Sequence, residues 1–243
     1  MLEATAAAED THFWFLHLRR TAESMLRAAL AGITPRLIVD CGAGTGRNLD
    51  WLSSFGPVVG VERSPVGLAY GLSRGRRMLR GSVTHLPFGD GAAGVATSFD
   101  VLYCLDDIEE RQAVREMYRV LANDGVAVVN AAAFDMLKGS HSALTREQRR
   151  YTRSRLTETL ESAGFTVERV TYTNMMTFPL ALAVRLSERL SGRAATPSDA
   201  DLRVPAAPVN TALNAVLGVE HGLLKAVDLP VGSSVMAVAR KTR

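Results

Sequence analysis

The feature that most constrains this chain is a β-branched, apolar segment that ends in a glycine-rich turn, Leu37-Ile-Val-Asp-Cys-Gly-Ala-Gly-Thr-Gly46. The apolar residues favour a buried strand, and the glycines of the turn let the backbone approach a ligand without a Cβ atom in the way. A second apolar segment, Val58-Val-Gly-Val-Glu62, ends in a carboxylate. This arrangement is typical of a site for a nucleotide-like ligand, whose ribose hydroxyls donate hydrogen bonds to the acid.

The spacing of the glycines distinguishes between two classes of cofactor. A dinucleotide site has the pattern G-x-G-x-x-G, whereas this chain has glycines at 42, 44 and 46 and Arg47 at the last position of that pattern. An Arg side chain at the start of the following helix obstructs the close backbone approach that a pyrophosphate needs. The spacing therefore disfavours a dinucleotide oxidoreductase, while the motif alone is also compatible with an ordinary turn between a strand and a helix.

Apolar strand patterns and amphipathic helix patterns alternate along the chain. This alternation predicts an α/β fold with a doubly wound, mostly parallel, seven-stranded sheet of the Rossmann-like type and a helical insertion before the last strand. The predicted strands cover residues 37–41, 57–62, 78–83, 99–105, 126–133, 165–173 and 234–240. The predicted helices cover residues 11–31, 47–54, 109–121, 176–190 and 211–227, with further helices beginning at Ser64 and Thr152 and a loop over 134–153.

The composition is that of a globular protein with a hydrophobic core, since 47% of the 243 residues are hydrophobic and 22% are charged. Cys41 and Cys104 do not have the spacing of metal ligands, so no metal site is predicted. The N-terminus does not match a signal peptide, and the apolar run at 177–184 is shorter than the roughly 20 residues of a transmembrane helix. We therefore expect a cytoplasmic protein, and the abundance of Ala, Arg, Gly and Val indicates a bacterial source.

Three segments beyond the glycine turn carry a recognisable pattern. They read Gly81-Ser-Val-Thr-His-Leu-Pro-Phe88, Phe99-Asp-Val-Leu-Tyr-Cys-Leu-Asp-Asp-Ile-Glu-Glu110 and Glu116-Met-Tyr-Arg-Val-Leu-Ala-Asn-Asp-Gly125. Together with the glycine turn and Glu62, they resemble the motifs of class I S-adenosylmethionine-dependent methyltransferases of the small-molecule, type 11-like group. The resemblance spans about 13–164. Two positions depart from it, because Ser82 replaces an acid that meets the adenine amino group and Glu110 replaces a His.

The resemblance implies S-adenosyl-L-methionine as the methyl donor and S-adenosyl-L-homocysteine as the product. The segment Thr11-His-Phe-Trp-Phe-Leu-His-Leu-Arg-Arg20 is similar to an aromatic helix that lies over the cofactor in bacterial members. By that resemblance Arg19 pairs with the methionine carboxylate and Trp14 closes the pocket, although Trp14 also fits the core face of an amphipathic helix. The cofactor-binding residues implied by the resemblance are Trp14, Arg19, Asp40, Gly42, Gly44, Gly46, Asn48, Glu62, Arg63, Ser82, Val83 and Leu105.

Methyl transfer requires alignment of donor and acceptor, and it requires a base only where the acceptor must lose a proton. The sequence offers two candidate catalytic residues, His141 in the loop after strand five and Glu110 after strand four. Each has an ordinary alternative, because His141 fits an exposed loop and Glu110 fits the first turn of a helix. The acceptor stays open, as does the choice of oxygen, nitrogen or carbon as the methylated atom.

A basic stretch over 138–155 bears on the charge of the acceptor. It is compatible with a small-molecule acceptor that carries an anionic group, although we favour a solvated helix face. Nucleic acid is not expected as a partner, because no segment for holding a flipped base follows strand four. The stretch contains one acid, Glu147, and the basic residues Lys138, Arg146, Arg149, Arg150, Arg153 and Arg155.

The chain is predicted to have an N-terminal helical lid (1–35), an S-adenosylmethionine-binding core (36–173 and 232–243) and a helical insertion (174–231). The insertion is too long for an ordinary connection. Its apolar residues fit a lid over the acceptor, a dimer surface or a helix pair on a membrane surface, of which we favour the lid. Either a monomer or a homodimer is compatible with this sequence.

A second hypothesis for the function starts from the departures at Ser82 and Glu110. On this hypothesis the protein does not methylate but retains the S-adenosylmethionine fold, either as a binding module or as a catalyst of rearrangement. Formation of S-adenosylhomocysteine would distinguish the two hypotheses.

Overall fold

A computed structural model describes residues 1–145, 147–192 and 198–242. Its strands form one seven-stranded sheet in the order β3-β2-β1-β4-β5-β7-β6. The strands are β1 (Ile38–Cys41), β2 (Val58–Glu62), β3 (Met78–Arg80), β4 (Ala93–Phe99), β5 (Leu121–Ala132), β6 (Phe165–Thr173) and β7 (Ser234–Lys241).

The sheet is parallel from β3 to β5, and β7 pairs antiparallel with both β5 and β6. The predicted doubly wound, mostly parallel, seven-stranded sheet is therefore confirmed. Chain order reverses between β1 and β4, which are neighbours in the sheet although β2 and β3 separate them in sequence. In open α/β sheets, ligands bind beyond the carboxyl ends of the strands at such a reversal.

Helices cover both faces of the sheet and its carboxyl edge. They are α1 (Leu2–Ala8), α2 (Phe13–Leu30), α3 (Asn48–Leu52), α4 (Pro65–Ser73), α5 (Asp107–Val120), α6 (Ser140–Thr145), α7 (Arg153–Glu161), α8 (Phe178–Leu190) and α9 (Ala207–Leu224), with 3₁₀ turns at Leu102–Cys104, Asp135–Leu137 and Ala200–Leu202. Among the helices of the described ranges, none combines the length and apolar character that crossing a bilayer requires.

Side-chain caps explain where several of these helices begin. The Asp106 carboxylate accepts hydrogen bonds from the amides of Ile108 and Glu109. The Glu109 carboxylate in turn accepts one from the Asp106 amide, and the two residues form a capping box at the start of α5. The Thr152 hydroxyl accepts a hydrogen bond from the Arg155 amide and caps α7, so the predicted helix beginning at Thr152 is confirmed.

The core has two parts, one on each face of the sheet. On one face α2 and α3 pack against alternate residues of β1 and β5, with Leu26, Ile38 and Leu52 fully buried. On the other face α5 and α7 pack against the intervening residues, with Met117 and Leu156 fully buried. Burial on both faces explains why these strands are continuous apolar runs in the sequence.

The prediction of strand four over 99–105 is wrong, because the strand is Ala93–Phe99 and residues 102–104 form a 3₁₀ turn. The strand is built largely from small residues, which a hydropathy pattern does not distinguish from a loop. Gly94 lies so close to the segment before β1 that a Cβ atom would approach Pro35 Cβ to 2.9 Å. The more apolar segment that follows lies beyond the strand, at the carboxyl edge of the sheet.

Two short helices were not predicted, and one strand is shorter than predicted. Helix α1 precedes the predicted N-terminal helix, and α6 lies within the segment predicted to be a loop over 134–153. Strand β3 ends at Arg80 rather than at 83.

Candidate active site

A cavity of about 1330 Å³ opens at the carboxyl ends of β1, β2 and β4, where the chain order of the sheet reverses. The glycine turn after β1 forms its floor. Residues of α1 and α2 line one side of it, and residues of α8 and α9 line another. The N-terminal segment and the insertion, which are far apart in sequence, therefore meet at one site.

The three glycines of the turn have different environments. Gly44 has a φ of 57° and lines the cavity, and the nearest atom to an added Cβ would be Leu2 Cδ2 at 3.7 Å. Gly42 has a φ of 82°, and a Cβ there would lie 2.4 Å from Val101 Cγ2. Gly46 packs inward, since its Cβ would lie 2.9 Å from Met78 Sδ. Only a turn without these side chains leaves the cavity floor open.

The Glu62 carboxylate stands at the carboxyl end of β2 and lines the cavity beside this turn. Its Oε2 accepts a hydrogen bond from the Gly44 amide at 2.8 Å, and its Oε1 accepts one from the Ser64 amide at 2.6 Å. The acid is therefore held at the same point as the open backbone of the turn.

Asp40 supports the turn from beneath and does not line the cavity. Its Oδ1 accepts a hydrogen bond from Thr97 Oγ1 at 2.7 Å, and its Oδ2 is buried without a hydrogen-bond partner among the described residues. Burial raises the pKa of Asp40 to about 7, against the opposing effect of the Thr97 hydrogen bond.

On the N-terminal side, Trp14 and Arg19 of α2 line the cavity. Arg19 Nη2 donates a hydrogen bond to the Glu9 carbonyl at 2.6 Å, and the Trp14 ring lies edge-on to Phe15. Glu9, which the sequence did not single out, also lines the cavity, and its carboxylate accepts a hydrogen bond from Thr45 Oγ1.

All the predicted cofactor residues except Asp40 and Gly46 line this cavity. Ser82 accepts a hydrogen bond from the Thr84 amide at 3.2 Å, and its hydroxyl lies 2.8 Å from the Thr84 hydroxyl. Those on the cavity wall are Trp14, Arg19, Gly42, Gly44, Asn48, Glu62, Arg63, Ser82, Val83 and Leu105.

The residues present fit S-adenosylmethionine. A carboxylate suits the two ribose hydroxyls, an Arg suits the methionine carboxylate, and an aromatic face suits the sulfonium cation. The side of the cavity on which Gly42, Gly44 and Glu62 lie is called the donor side below, and the side lined by α8 and α9 is called the acceptor side.

Asp100 also lines the cavity, directly after β4. Its φ is 61°, an uncommon conformation for a residue with a side chain. Asn130 Nδ2 donates to both oxygens of the Asp100 carboxylate, at 3.0 and 3.1 Å. Desolvation raises the pKa of Asp100 to about 7, with the Asn130 hydrogen bond acting in the opposite direction.

Of the two candidate catalytic residues, His141 lines the cavity and Glu110 does not. His141 lies on α6 and lines the cavity, and its Nδ1 is buried without a partner among the described residues. Burial lowers the pKa of His141, which favours the neutral imidazole. Glu110 is buried away from the cavity, where it accepts a hydrogen bond from the Tyr151 hydroxyl and pairs with Arg149 at 2.8 Å.

Residues 39–129 match a family model described as a methyltransferase domain. The chain is 31% identical over 170 residues to malonyl-[acyl-carrier protein] O-methyltransferase of Geobacter sulfurreducens, in an alignment that covers 60% of this chain and 62% of that protein. Residues 39–129 therefore have the sequence pattern of a methyltransferase domain. The chain spans less than two thirds of the length of the curated relatives it matches.

Solved structures have the same fold as this chain. The 1,6-didemethyltoxoflavin-N1-methyltransferase of Burkholderia thailandensis superposes with a TM-score of 0.57 at 19% identity, covering 93% of this chain and 78% of that chain. The [4+2]-cyclase SpnF superposes with a TM-score of 0.56 at 18% identity, covering 90% and 81%. Identities this low show a common fold only.

The side chains of the basic stretch over 138–155 are engaged with other groups of this chain. Arg150 pairs with Glu147 at 2.6 Å, and Arg149 pairs with Asp107 as well as with Glu110, each at 2.8 Å. Lys138 pairs with Asp135, Arg153 lies over the Tyr172 ring and Arg155 lies over the Tyr151 ring, whereas Arg146 lies outside the described residues.

The sequence reasoning missed Asp100 as a site residue because it put strand four at 99–105, which makes Asp100 part of the strand. The left-handed φ and the hydrogen bond from Asn130 become visible only in the folded structure. Within the described residues, no group of three or more His, Cys, Asp or Glu side chains could hold a metal ion.

Proposed function

We propose that this protein transfers a methyl group from S-adenosylmethionine to a small-molecule acceptor and releases S-adenosylhomocysteine. The observation that carries the proposal is the open glycine turn with the Glu62 carboxylate beside it, on the wall of one large cavity. The match of residues 39–129 to a methyltransferase domain supports the same activity.

On the donor side, Glu62 would accept hydrogen bonds from the ribose hydroxyls, and the backbone at Gly42 and Gly44 would contact the methionine moiety. Arg19 would pair with the carboxylate of that moiety, and Trp14 would lie against the sulfonium. Ser82 would accept the hydrogen bond of the adenine amino group. The remaining contacts would come from Asn48, Arg63, Val83 and Leu105, with Asp40 and Gly46 holding the turn from behind.

The bound donor supplies a methyl group that is already activated by the positive sulfur. The residues of the chain then have to align the acceptor with it and exclude water, and alignment alone corresponds to effective molarities of about 10⁵ M or more. We assign these tasks to the two helical segments that line the cavity, the lid (1–35) and the insertion (174–231).

Where the acceptor carries a hydroxyl or an amine, a base has to take its proton. Asp100 is a candidate for this role, because it lines the cavity and its pKa is raised to about 7. As the acceptor atom bonds to the methyl carbon, the carbon–sulfur bond breaks with its electron pair going to sulfur. The acceptor proton passes to the Asp100 carboxylate. His141 is the alternative base on the same wall.

Titration calorimetry with S-adenosylmethionine tests the proposal directly. The wild-type chain is expected to bind one equivalent, and Gly44→Arg is expected to abolish binding, because its side chain would fill the cavity floor. Gly89→Arg is the matched control, since nothing lies within 4 Å of a Cβ at Gly89. Absence of wild-type binding at millimolar concentration would overturn the proposal.

A catalyst of rearrangement that retains the fold is the second candidate function. The similarity to a [4+2]-cyclase at a TM-score of 0.56 favours it, because a protein with that activity has the same fold. Incubation with S-adenosylmethionine and a panel of small-molecule acceptors separates the two functions. Acceptor-dependent formation of S-adenosylhomocysteine supports methyl transfer, and binding of the donor without any turnover across the panel supports the second candidate.

A further inference from the structure

The cavity is larger than a site for one ligand. Pockets that bind a drug-sized molecule have volumes of about 300–1,000 Å³. The volume here is about 1330 Å³, and the glycine turn and Glu62 supply only part of the cavity wall. The remainder of the cavity, on the acceptor side, has room for a second molecule of substantial size.

The wall of the acceptor side is mainly aliphatic. Three of its side chains are also exposed, with exposed fractions of 54% for Leu180, 42% for Val184 and 51% for Val209. Apolar side chains that face an open cavity favour a ligand that removes them from water, in proportion to the apolar area covered. The aliphatic residues of this wall are Leu137, Leu180, Val184, Leu202, Val209 and Leu213.

The charged groups of the same wall are engaged with one another. Arg185 lies between two acids, Asp201 on the cavity wall and Glu188 behind it. To obtain Arg150 or Arg185 as a partner, an anionic acceptor would have to break a short, largely buried pair, whereas Arg203 is mostly exposed to solvent. An anionic acceptor would also share the cavity with the Asp100 carboxylate. The pairs are Arg150–Glu147, Arg185–Asp201, Arg185–Glu188 and Arg203–Asp199.

Three other cations line the cavity, on the donor side. Arg19 donates to the Glu9 carbonyl, Arg47 pairs with Asp10, and Arg63 follows the Glu62 carboxylate. Because these cations lie beside the glycine turn, we expect them to pair with the methionine carboxylate of the donor rather than with the acceptor. The two sides of the cavity therefore differ in polarity.

We propose that the acceptor is an uncharged, largely apolar molecule, which binds between α8, α9 and the glycine turn with its polar nucleophile toward Asp100. The inference rests on the proposed function and specifies the substrate class of that site. It replaces the anionic acceptor that the basic stretch had left as an alternative.

Two probes with the same alkyl tail test the charge preference, 4-octylphenol and 4-octylbenzoate. Binding to the full chain saturated with S-adenosylhomocysteine is followed by titration calorimetry below the aggregation limit of each probe. The phenol is expected to bind at one site at least tenfold more tightly than the benzoate. Shortening the tail to 4-butylphenol is expected to weaken binding by at least tenfold. Equal or tighter binding of the benzoate, or absence of phenol binding, would overturn the proposal.

A pair of valines on α9 provides a matched test of location. Val209 and Val219 are both exposed, at 51% and 59%, but of the two only Val209 lines the cavity. Val209→Arg is expected to weaken phenol binding at least tenfold, and Val219→Arg to leave it within twofold. Val184→Arg, on the neighbouring helix, is a second variant with the same expectation as Val209→Arg. Unchanged phenol binding in both cavity variants would contradict the assigned location.

Binding of S-adenosylhomocysteine to each variant is measured separately. Because α8 and α9 lie on the acceptor side, both cavity variants are expected to bind it like the wild type. Failure of the acceptor proposal would thus leave donor binding intact. Failure of the proposed function would appear in the wild type itself, as absence of donor binding or as absence of S-adenosylhomocysteine formation across the acceptor panel.

Discussion

At the scale of single residues, Gly42 combines a close steric contact with a backbone conformation that favours glycine. A Cβ atom at this residue would lie 2.4 Å from Val101 Cγ2, and the φ of 82° is itself unfavourable for a side chain. Gly42→Ala is therefore expected to lower the free energy of unfolding by about 1–3 kcal/mol, measured by urea denaturation. Gly89→Ala, at an open position, is the control and is expected to stay within about 0.5 kcal/mol of the wild type. Equal stabilities for the two variants would contradict the geometry of the turn.

The raised pKa of Asp100 predicts how the free energy of unfolding depends on pH. Its ordinary pKa of 3.8 is raised to about 7 by desolvation, so between these values the folded chain keeps a proton that the unfolded chain has lost. The ionisation therefore opposes folding, and its effect on stability grows as the pH rises from about 4 to 7. The free energy of unfolding of the wild type should therefore fall over this pH range, and in Asp100→Asn the contribution of this carboxylate to the fall is expected to disappear.

The measurement compares urea unfolding of the wild type and of Asp100→Asn at a series of pH values. Asp40, whose pKa is raised in the same direction by burial, is present in both proteins and cancels in the difference. The wild type is expected to lose stability relative to the variant as the pH rises through this window, and to change little relative to it above pH 8. A difference that is constant with pH would show that the carboxylate is not desolvated.

At the scale of elements, a buried hydrogen bond between a His and a Glu joins α2 to α9. His17 Nε2 lies 3.1 Å from Glu220 Oε1, and both side chains are fully buried. The same carboxylate accepts hydrogen bonds from the amides of Asn174 and Met176, so it also holds the segment between β6 and α8. Three elements of the cavity wall therefore depend on one carboxylate.

Glu220→Ala is expected to destabilise the protein by about 3–5 kcal/mol, because it leaves a buried His and two amides without their acceptor. Glu23→Ala, which removes an exposed pair with Arg27 on α2, is expected to cost about 0.5 kcal/mol. Urea denaturation of both variants checks the comparison. Similar losses in the two variants would mean that the buried pair does not hold the helices together.

The elements also show what the sequence could predict. Strands β1, β2, β6 and β7 lie within one residue of their predicted bounds. β1, β2 and β7 are largely β-branched or apolar, and β6 is rich in β-branched and aromatic residues and follows Gly164, which marks its start. Strand β4 was misplaced because its small residues are chosen by close packing with neighbouring backbone, which no local pattern reveals. Helices α1 and α6 are short and carry no clear periodicity.

The same distinction applies to the site. The glycine turn and Glu62 belong to contiguous motifs, so local sequence was enough to predict that they come together. Asp100 and the aliphatic acceptor wall depend on where α8, α9 and the end of β4 lie in the folded chain. Such residues are determined by tertiary packing, and the sequence marks them only as apolar or acidic.

At the scale of the whole molecule, the N-terminal segment and the insertion contact each other over the carboxyl edge of the sheet. Asn210 of α9 accepts a hydrogen bond from the Phe13 amide at 3.0 Å and donates one to the Thr11 carbonyl at 2.8 Å. The His17–Glu220 pair joins the same two helices further along. Donor-side and acceptor-side walls are therefore one connected unit, and a ligand between them should stabilise the whole chain.

This connection predicts a large thermal shift on donor binding. A ligand at 100 times its Kd adds about 2.7 kcal/mol to the free energy of unfolding, and a domain of this size gains about 2–4 °C in Tm per kcal/mol. S-adenosylmethionine at that ratio is thus expected to raise the Tm by roughly 5–10 °C. NAD⁺ at the same concentration is expected to leave the Tm unchanged, because Arg47 stands where a dinucleotide turn has a glycine. The Tm of Gly44→Arg is expected to stay unchanged with either ligand. If NAD⁺ raised the Tm of the wild type as much as S-adenosylmethionine does, the glycine turn would instead be a dinucleotide site.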